Sequence, residues 1–280
     1  MRRRDLLAGM GAAALIGSLP RYALAEPAFA PTRFTATVRG SGPDVILIPG
    51  LTAGPTVWNG IVAALPGYRY HLLHVGGMAG AAAGPNAWGA LVSPLADEIA
   101  RYIESRALRR PALIGHSMGG TLTMMVAARR PELVGKVMVV DMLPQPSGLV
   151  GSSPERARAM AERLRALGST PTGRMLVGSL IGSFGTDARS DPEVVARAME
   201  ELAALDLTAD LPRIAAPLTV VYANRDARSR ARTDAAYAAA YAGARNAELI
   251  RIDGSGHMIM FDQPARLAEA VREFLARRPL

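Results

Sequence analysis

The 280-residue chain is half hydrophobic and one-fifth charged, carries a formal net charge of +8 and contains no cysteine. Without cysteine there is no thiolate nucleophile, no thiolate metal site and no disulfide, so the fold must stand on its core. The charge does not point to nucleic acid, because the arginines are scattered among acidic neighbours, as in "SPERARAMAERLRALG", and no basic stripe interleaves with aromatics.

The first 25 residues read as a targeting segment. Arg2, Arg3 and Arg4 precede an apolar run from Leu6 to Leu19, and Ala23-Leu24-Ala25 supplies a small-x-small cleavage site. The run is glycine-broken and shorter than the ~20 residues a spanning helix needs. The arginines followed by Asp5-Leu6-Leu7 and a weakly hydrophobic core resemble a bacterial twin-arginine export signal. The expectation is a periplasmic or secreted protein with no stable membrane span after cleavage at Ala25, or a tethered one if the segment is retained. The remainder, about 255 residues, suits one large α/β domain or a core with a small insertion.

Strands and helices alternate through most of that remainder. Residues 33–40 alternate like a strand, and "SGP" leads into the continuous apolar run 44–50, so an antiparallel edge hairpin is expected. A helix over 56–65, a strand at 68–75 and an amphipathic helix over 87–108 follow. Next come a strand at 111–116, a helix at 118–130 and a strand at 136–142. Residues 145–212 then show only helical patches separated by Gly/Ser/Pro/Asp loops. Alternation resumes with strand 217–224, helix 231–243, strand 247–253 and helix 264–278. Apolar runs joined by helices predict an α/β fold with a mostly parallel central sheet covered on both faces. The core is assigned to 26–144 and 213–280, with 145–212 as a helical cap inserted between its halves.

Ligands of open parallel sheets bind outside the carboxyl ends of the strands. Strand 111–116 ends in Gly115-His116-Ser117-Met118-Gly119, a G-x-S-x-G turn between strand and helix. Taken alone it is a tight turn; in this position it exposes a serine hydroxyl at a helix N-terminus. The loop after strand 44–50, Pro49-Gly50-Leu51-Thr52, offers the Leu51 N–H as a partner for that of Met118 in an oxyanion hole. A serine needs a base. His257, in the glycine-flanked loop "DGSGHMIMFDQP", is the candidate, whereas His116 reads as structural and His74 as a possible pocket residue. The orienting carboxylate is expected at Asp226, at the end of strand 217–224, with Asp141 as its rival. Asp253 is expected to point away or cap its loop. The order Ser117, Asp226, His257 is that of one particular fold.

With these residues in place the chain resembles α/β-hydrolase-fold serine hydrolases with a helical cap, of the esterase and lactonase kind. The resemblance rests on "ILIPGLTAGPTVW", "ALIGHSMGGTLTMMVAARRPELVGKVMVVD", "LPRIAAPLTVVYANRDA" and "GSGHMIMFDQP". It departs from the family's pattern at Pro49, where a histidine is common, and in "HVGGMAGAAAGPNAW", a small-residue loop read as an open or mobile pocket wall. A first strand often seen in the family is missing or very short.

The resemblance implies hydrolysis of a small-molecule carboxylic ester, thioester or lactone with an apolar acyl group, through an acyl-enzyme and without a metal or organic cofactor. Met160, Met175, Leu176, Leu180, Ile181, Phe184 and Met199 of the cap, with Met258, Ile259 and Met260, are candidates for the acyl pocket. Carbon–carbon bond hydrolysis or a cofactor-free perhydrolase reaction on the same residues is the enzymatic alternative. A non-catalytic binding protein on a hydrolase scaffold is the alternative from another class. Serine at 117 argues against dehalogenase or epoxide hydrolase action, which in this family goes with an aspartate at that position.

Overall fold

The computed structural model describes residues 29–147, 154–173, 175–176 and 189–277. The expected signal segment, residues 1–25, lies outside them. Seven strands form one sheet: β1 (Phe34–Gly40), β2 (Asp44–Ile48), β3 (Arg69–Val75), β4 (Ala112–His116), β5 (Lys136–Val140), β6 (Leu218–Asn224) and β7 (Ala247–Asp253). Their order is β1-β3-β2-β4-β5-β6-β7, with β2 to β7 parallel and β1 antiparallel at the edge. The expected hairpin is therefore corrected. β1 is antiparallel, but it pairs with β3, in the register Phe34↔Val75 to Gly40↔Arg69, and not with β2. Burial explains the choice. Residues 45–48 of β2 are buried on both faces and take the interior of the sheet, whereas only Phe34 of β1 is buried.

Both faces of the sheet are covered. Alternate residues of one strand belong to different apolar clusters, as with Ile46 and Ile48 on one face and Val45 and Leu47 on the other. The first face packs against helices α2 (Val92–Ser105) and α3 (Met118–Arg129). The second packs against the short α1 (Asn59–Ala64) and α8 (Pro264–Ala276). Between β5 and β6 lie α4 (Pro154–Gly168) and α5 (Pro192–Ala204); α6 (Arg230–Ala240) joins β6 to β7, and α7 (Ile259–Asp262) precedes α8.

Helices α4 and α5 are held to each other by charge and to the core by apolar packing. Arg165 of α4 makes a two-pronged bond to Glu200 of α5, 2.8 Å on each arm, and a third to Glu193. Ala161, Leu164, Val194, Val195 and Leu202 join the same buried cluster as α2 and α3. This part of the chain is thus continuous with the main core.

The loop after β3 is a closed structure and not the open wall that its small residues suggest. Gly76 to Ala79 are buried, and Asn86 donates to the carbonyls of Arg33 and Gly76. The Asp191 N–H donates to Gly77 O, the Gly80 N–H to Arg189 O and the Ala79 N–H to Ser190 Oγ. Small residues are needed because α5 lies against them: a Cβ on Gly77 would sit 2.6 Å from Val194 Cγ2.

Glu201 of α5 completes the attachment. Its carboxylate accepts from the N–H groups of Leu91 and Val92 at 2.8 and 2.7 Å, capping α2, whose own N-cap residue supplies no side-chain bond. Glu201→Ala strands two amide donors and is expected to lower the unfolding free energy by about 1–2 kcal/mol. Glu201→Gln, with one acceptor oxygen, should recover part of the loss; urea denaturation of both variants tests this.

Candidate active site

Ser117 connects β4 to α3 with φ 53° and ψ −122°, a left-handed backbone that costs a non-glycine residue about 1–3 kcal/mol. Its neighbours hold it there. The Ser117 N–H donates to Val140 O at 3.0 Å, and its carbonyl accepts from Gly120 and Thr121. The flanking glycines are required by close approach. A Cβ on Gly115 would lie 2.0 Å from Gly119 O, and one on Gly119 would lie 2.2 Å from Ile48 O.

The loop after β2 lies beside this turn, since a Cβ on Gly50 would come within 3.0 Å of Ser117 Cβ. Thr52 in that loop also has a left-handed backbone, φ 61°. Among the described residues the N–H groups of Leu51 and Met118 make no hydrogen bond. Two backbone donors are thereby left at the serine, one of them at the positive end of α3.

His257 follows β7 and reaches back across the sheet. Its Nδ1 lies 2.7 Å from Asp141 Oδ2. The carboxylate can only accept, so Nδ1 carries the proton and the neutral ring keeps its lone pair at Nε2. The His257 side chain is 43% exposed and that of Asp141 only 5%. Asp141 Oδ1 accepts from the Ala223 N–H at 2.9 Å and from the Tyr237 hydroxyl at 3.0 Å. Asp141 itself sits at φ 50°, and this left-handed step ends β5 at Val140, two residues earlier than the apolar run suggests. Ser117 Oγ makes no hydrogen bond among the described residues.

The carboxylate beside His257 is therefore Asp141, and the expected pairing with Asp226 is not formed. Asp226 is exposed, and its Oδ1 accepts from the Arg228 N–H at 2.9 Å, capping the turn Ala227–Ser229. The signal was present in the sequence: an aspartate followed by three residues that open a helix is an N-cap pattern. Asp253 is taken by Asn224, Arg230 and Arg251, as a loop-fastening role requires.

His116 plays a larger part than its position suggested. Its Nε2–H donates to the carbonyl oxygen of His257 at 2.9 Å, and the two rings lie 4.7 Å apart. Burial, reinforced by the neighbouring His257, pushes its pKa down to about 3, so the ring is neutral. Its Nδ1 has no hydrogen-bond partner among the described residues. Nothing in the sequence separates this histidine from a core residue, because its partner is a backbone atom 141 residues away.

Other expected pocket residues are placed differently. His74 donates through Nε2 to Met78 O at 3.0 Å, so that nitrogen serves the loop after β3. Met260 is buried against the α1–α8 side of the sheet and lines an apolar groove with Val57, Ile61 and Pro264 that includes neither Ser117 nor His257. Met258 is half-buried against the same cluster. Met199 packs on the main core, and Met160, Met175 and Leu176 are exposed. Leu180, Ile181 and Phe184 lie outside the described residues. Among the described residues no group of three His, Asp or Glu is placed to hold a metal ion, and no helix is long and apolar enough to cross a membrane.

Comparison with known proteins agrees with the fold. The chain is 25% identical over 206 residues to a pimeloyl-[acyl-carrier protein] methyl ester esterase of Vibrio vulnificus, covering 67% of this chain and 78% of that one. A relative from Stutzerimonas stutzeri is 28% identical over 156 residues, 49% of this chain and just 56% of its own length. Among solved structures, the enol-lactonase of Burkholderia xenovorans superposes with a TM-score of 0.69 at 20% identity, covering 87% of this chain and 96% of the other. A thermophilic esterase from Thermogutta terrifontis gives 0.70 at 23%, covering 86% and 92%. These two likenesses show the fold. The model of the alpha/beta hydrolase family matches residues 45–270, and the chain belongs to that family.

Proposed function

We propose that the protein is a serine hydrolase acting on a carboxylic ester, thioester or lactone of a small apolar acid, with Ser117 as nucleophile, His257 as base and Asp141 as orienting acid. The observation that carries this reading is the 2.7 Å bond from His257 Nδ1 to a buried carboxylate, beside a serine on a strained strand-to-helix turn. Esterase and lactonase relatives support the substrate class. Arg2 to Arg4 and Ala23-Leu24-Ala25 support export of the chain.

The chemistry follows from where the protons sit. His257 Nε2, the free lone pair, takes the Ser117 proton as Oγ attacks the carbonyl carbon. Asp141 holds the tautomer and stabilises the imidazolium that forms. The N–H groups of Leu51 and Met118 stabilise the oxyanion, and His257 returns the proton to the leaving group. Water then repeats the sequence on the acyl-enzyme. His116 stays neutral beside the transient imidazolium and adds no repulsion.

A panel of 4-nitrophenyl esters of graded acyl length, with lactones and a thioester, tests the reading on the protein lacking residues 1–25. Ser117→Ala and His257→Ala should each lower kcat by roughly four to six orders of magnitude, with Tm nearly unchanged. Asp141→Asn should cost about 10³–10⁴-fold, while Asp226→Asn stays within about twofold of wild type. The reverse ranking of the two aspartates would return the acid to Asp226.

His116 sets an acid limit on stability. Its folded pKa of about 3 lies below the ordinary 6.5, so the unfolded chain binds the extra proton between those values. Stability is thus complete above about pH 6.5 and falls by about 1.4 kcal/mol per unit below it. Urea unfolding of His116→Asn between pH 4 and 6 should show about one proton fewer taken up than in wild type. The export reading predicts a mature N-terminus at Glu26 in the periplasmic or secreted fraction, read by mass spectrometry. An intact Met1 there would refute cleavage.

A further inference from the structure

The last turn of α6 and the residue that caps it carry two buried tyrosines, Tyr237 and Tyr241, four residues apart on one side of the helix. Both hydroxyls reach the segment leaving β5. Tyr237 donates to Asp141 Oδ1 at 3.0 Å, and Tyr241 donates to the carbonyl of Met142 at 2.7 Å. The rings are pinned in turn: Tyr222 of β6 stacks on Tyr237 at 4.3 Å and 16°, and Tyr237 lies nearly parallel to Tyr241 at 6.4 Å and 7°. Tyr222 donates to Asp234, which pairs with Arg251, so the stack is anchored at the surface.

We propose that Tyr237 and Tyr241 are positioning residues that fix the exit of β5 so that Asp141 presents Oδ2 to His257, with Tyr237 also fastening the carboxylate by its other oxygen. The inference rests on Asp141 being the acid. Asp141 needs such support because its left-handed backbone is unfavourable and a carboxylate bonded through one oxygen is free to swing. Ala223 N–H and Tyr237 together occupy Oδ1, leaving Oδ2 for His257. Burial, followed by the charge of Asp141, raises the Tyr237 pKa far above its ordinary value, so the hydroxyl remains a donor at every working pH. Removing it leaves Oδ1 one donor short and concentrates charge on Oδ2, the oxygen that His257 contacts.

Other groups near the pair are the same in the variants. They are His116 from β4, Tyr222 from β6, Arg225 lying against Gly256, and Asp262, which accepts from the Gly256 N–H.

The test is Tyr237→Phe and Tyr241→Phe in the purified protein, assayed with a 4-nitrophenyl ester across pH 5–9. Tyr237→Phe should lower plateau kcat about 5–20-fold, leave KM within about twofold, and move the acid limb of the rate profile to higher pH. The low-field proton resonance of the His257–Asp141 bond should move as well. Tyr241→Phe should lower kcat without moving the midpoint, and Tyr237→Phe placed on Asp141→Asn should change the rate less than about twofold. A wild-type midpoint and resonance with only a lower Tm would reduce Tyr237 to packing and overturn the inference. So would a midpoint shift that persists on Asp141→Asn. The resonance is read without substrate, so it decides the Tyr237 contact even if Ser117→Ala retained full activity, a result that would overturn the proposed hydrolysis itself.

Discussion

The buried carboxylate of Asp141 is the constraint on which the rest of the site depends. An ionised carboxylate taken out of water costs several kcal/mol unless donors fill its lone pairs. Asp141 has three: a backbone N–H of β6, a phenol of α6 and the imidazole of the loop after β7. Three separate stretches of chain therefore meet at one carboxylate. Packing and chemistry share one requirement here.

The sheet order makes that convergence possible. β4, β5 and β6 are neighbours, so Ser117 and Asp141 leave the sheet side by side while β6 runs on past them to Asn224 and offers the Ala223 N–H. The ladder continues one residue past the strands, with the Ser117 N–H on Val140 O and the Asp141 N–H on Val221 O. Both Ser117 and Asp141 then turn into the left-handed region. Strain at two adjacent strand exits is tolerated because each is bonded across to the next strand and covered by a helix. His116 adds the last tie, holding the His257 backbone while Asp141 holds its ring.

Most of the architecture was legible because periodicity and burial agree. The seven strands fall where apolar runs predicted them, and the glycines around Ser117 marked a turn whose tightness the backbone contacts explain. What escaped was set by relations between distant residues. Asp226 and Asp141 both follow parallel strands, and only the pairing of β5 with β4 decides which lies opposite the histidine. The tyrosines of "AAYAAAYAG" look like ordinary helix packing until β5 ends beneath them. The edge pairing of β1 was missed for a similar reason: a short turn suggests a hairpin, but β2 already has partners on both sides.

The return of the inserted segment into the core has a consequence for how such proteins diversify. Arg189, Ser190 and Asp191 bond to Gly80, Ala79 and Gly77, and Ser190 also reaches the carbonyl of Thr52, next to Leu51. The stretch just before α5 therefore rests on the loop that flanks the serine. A transplanted segment that changed these three residues would bring new geometry to the backbone around Leu51. Exchange of the insertion is modular only if the graft point lies before residue 189.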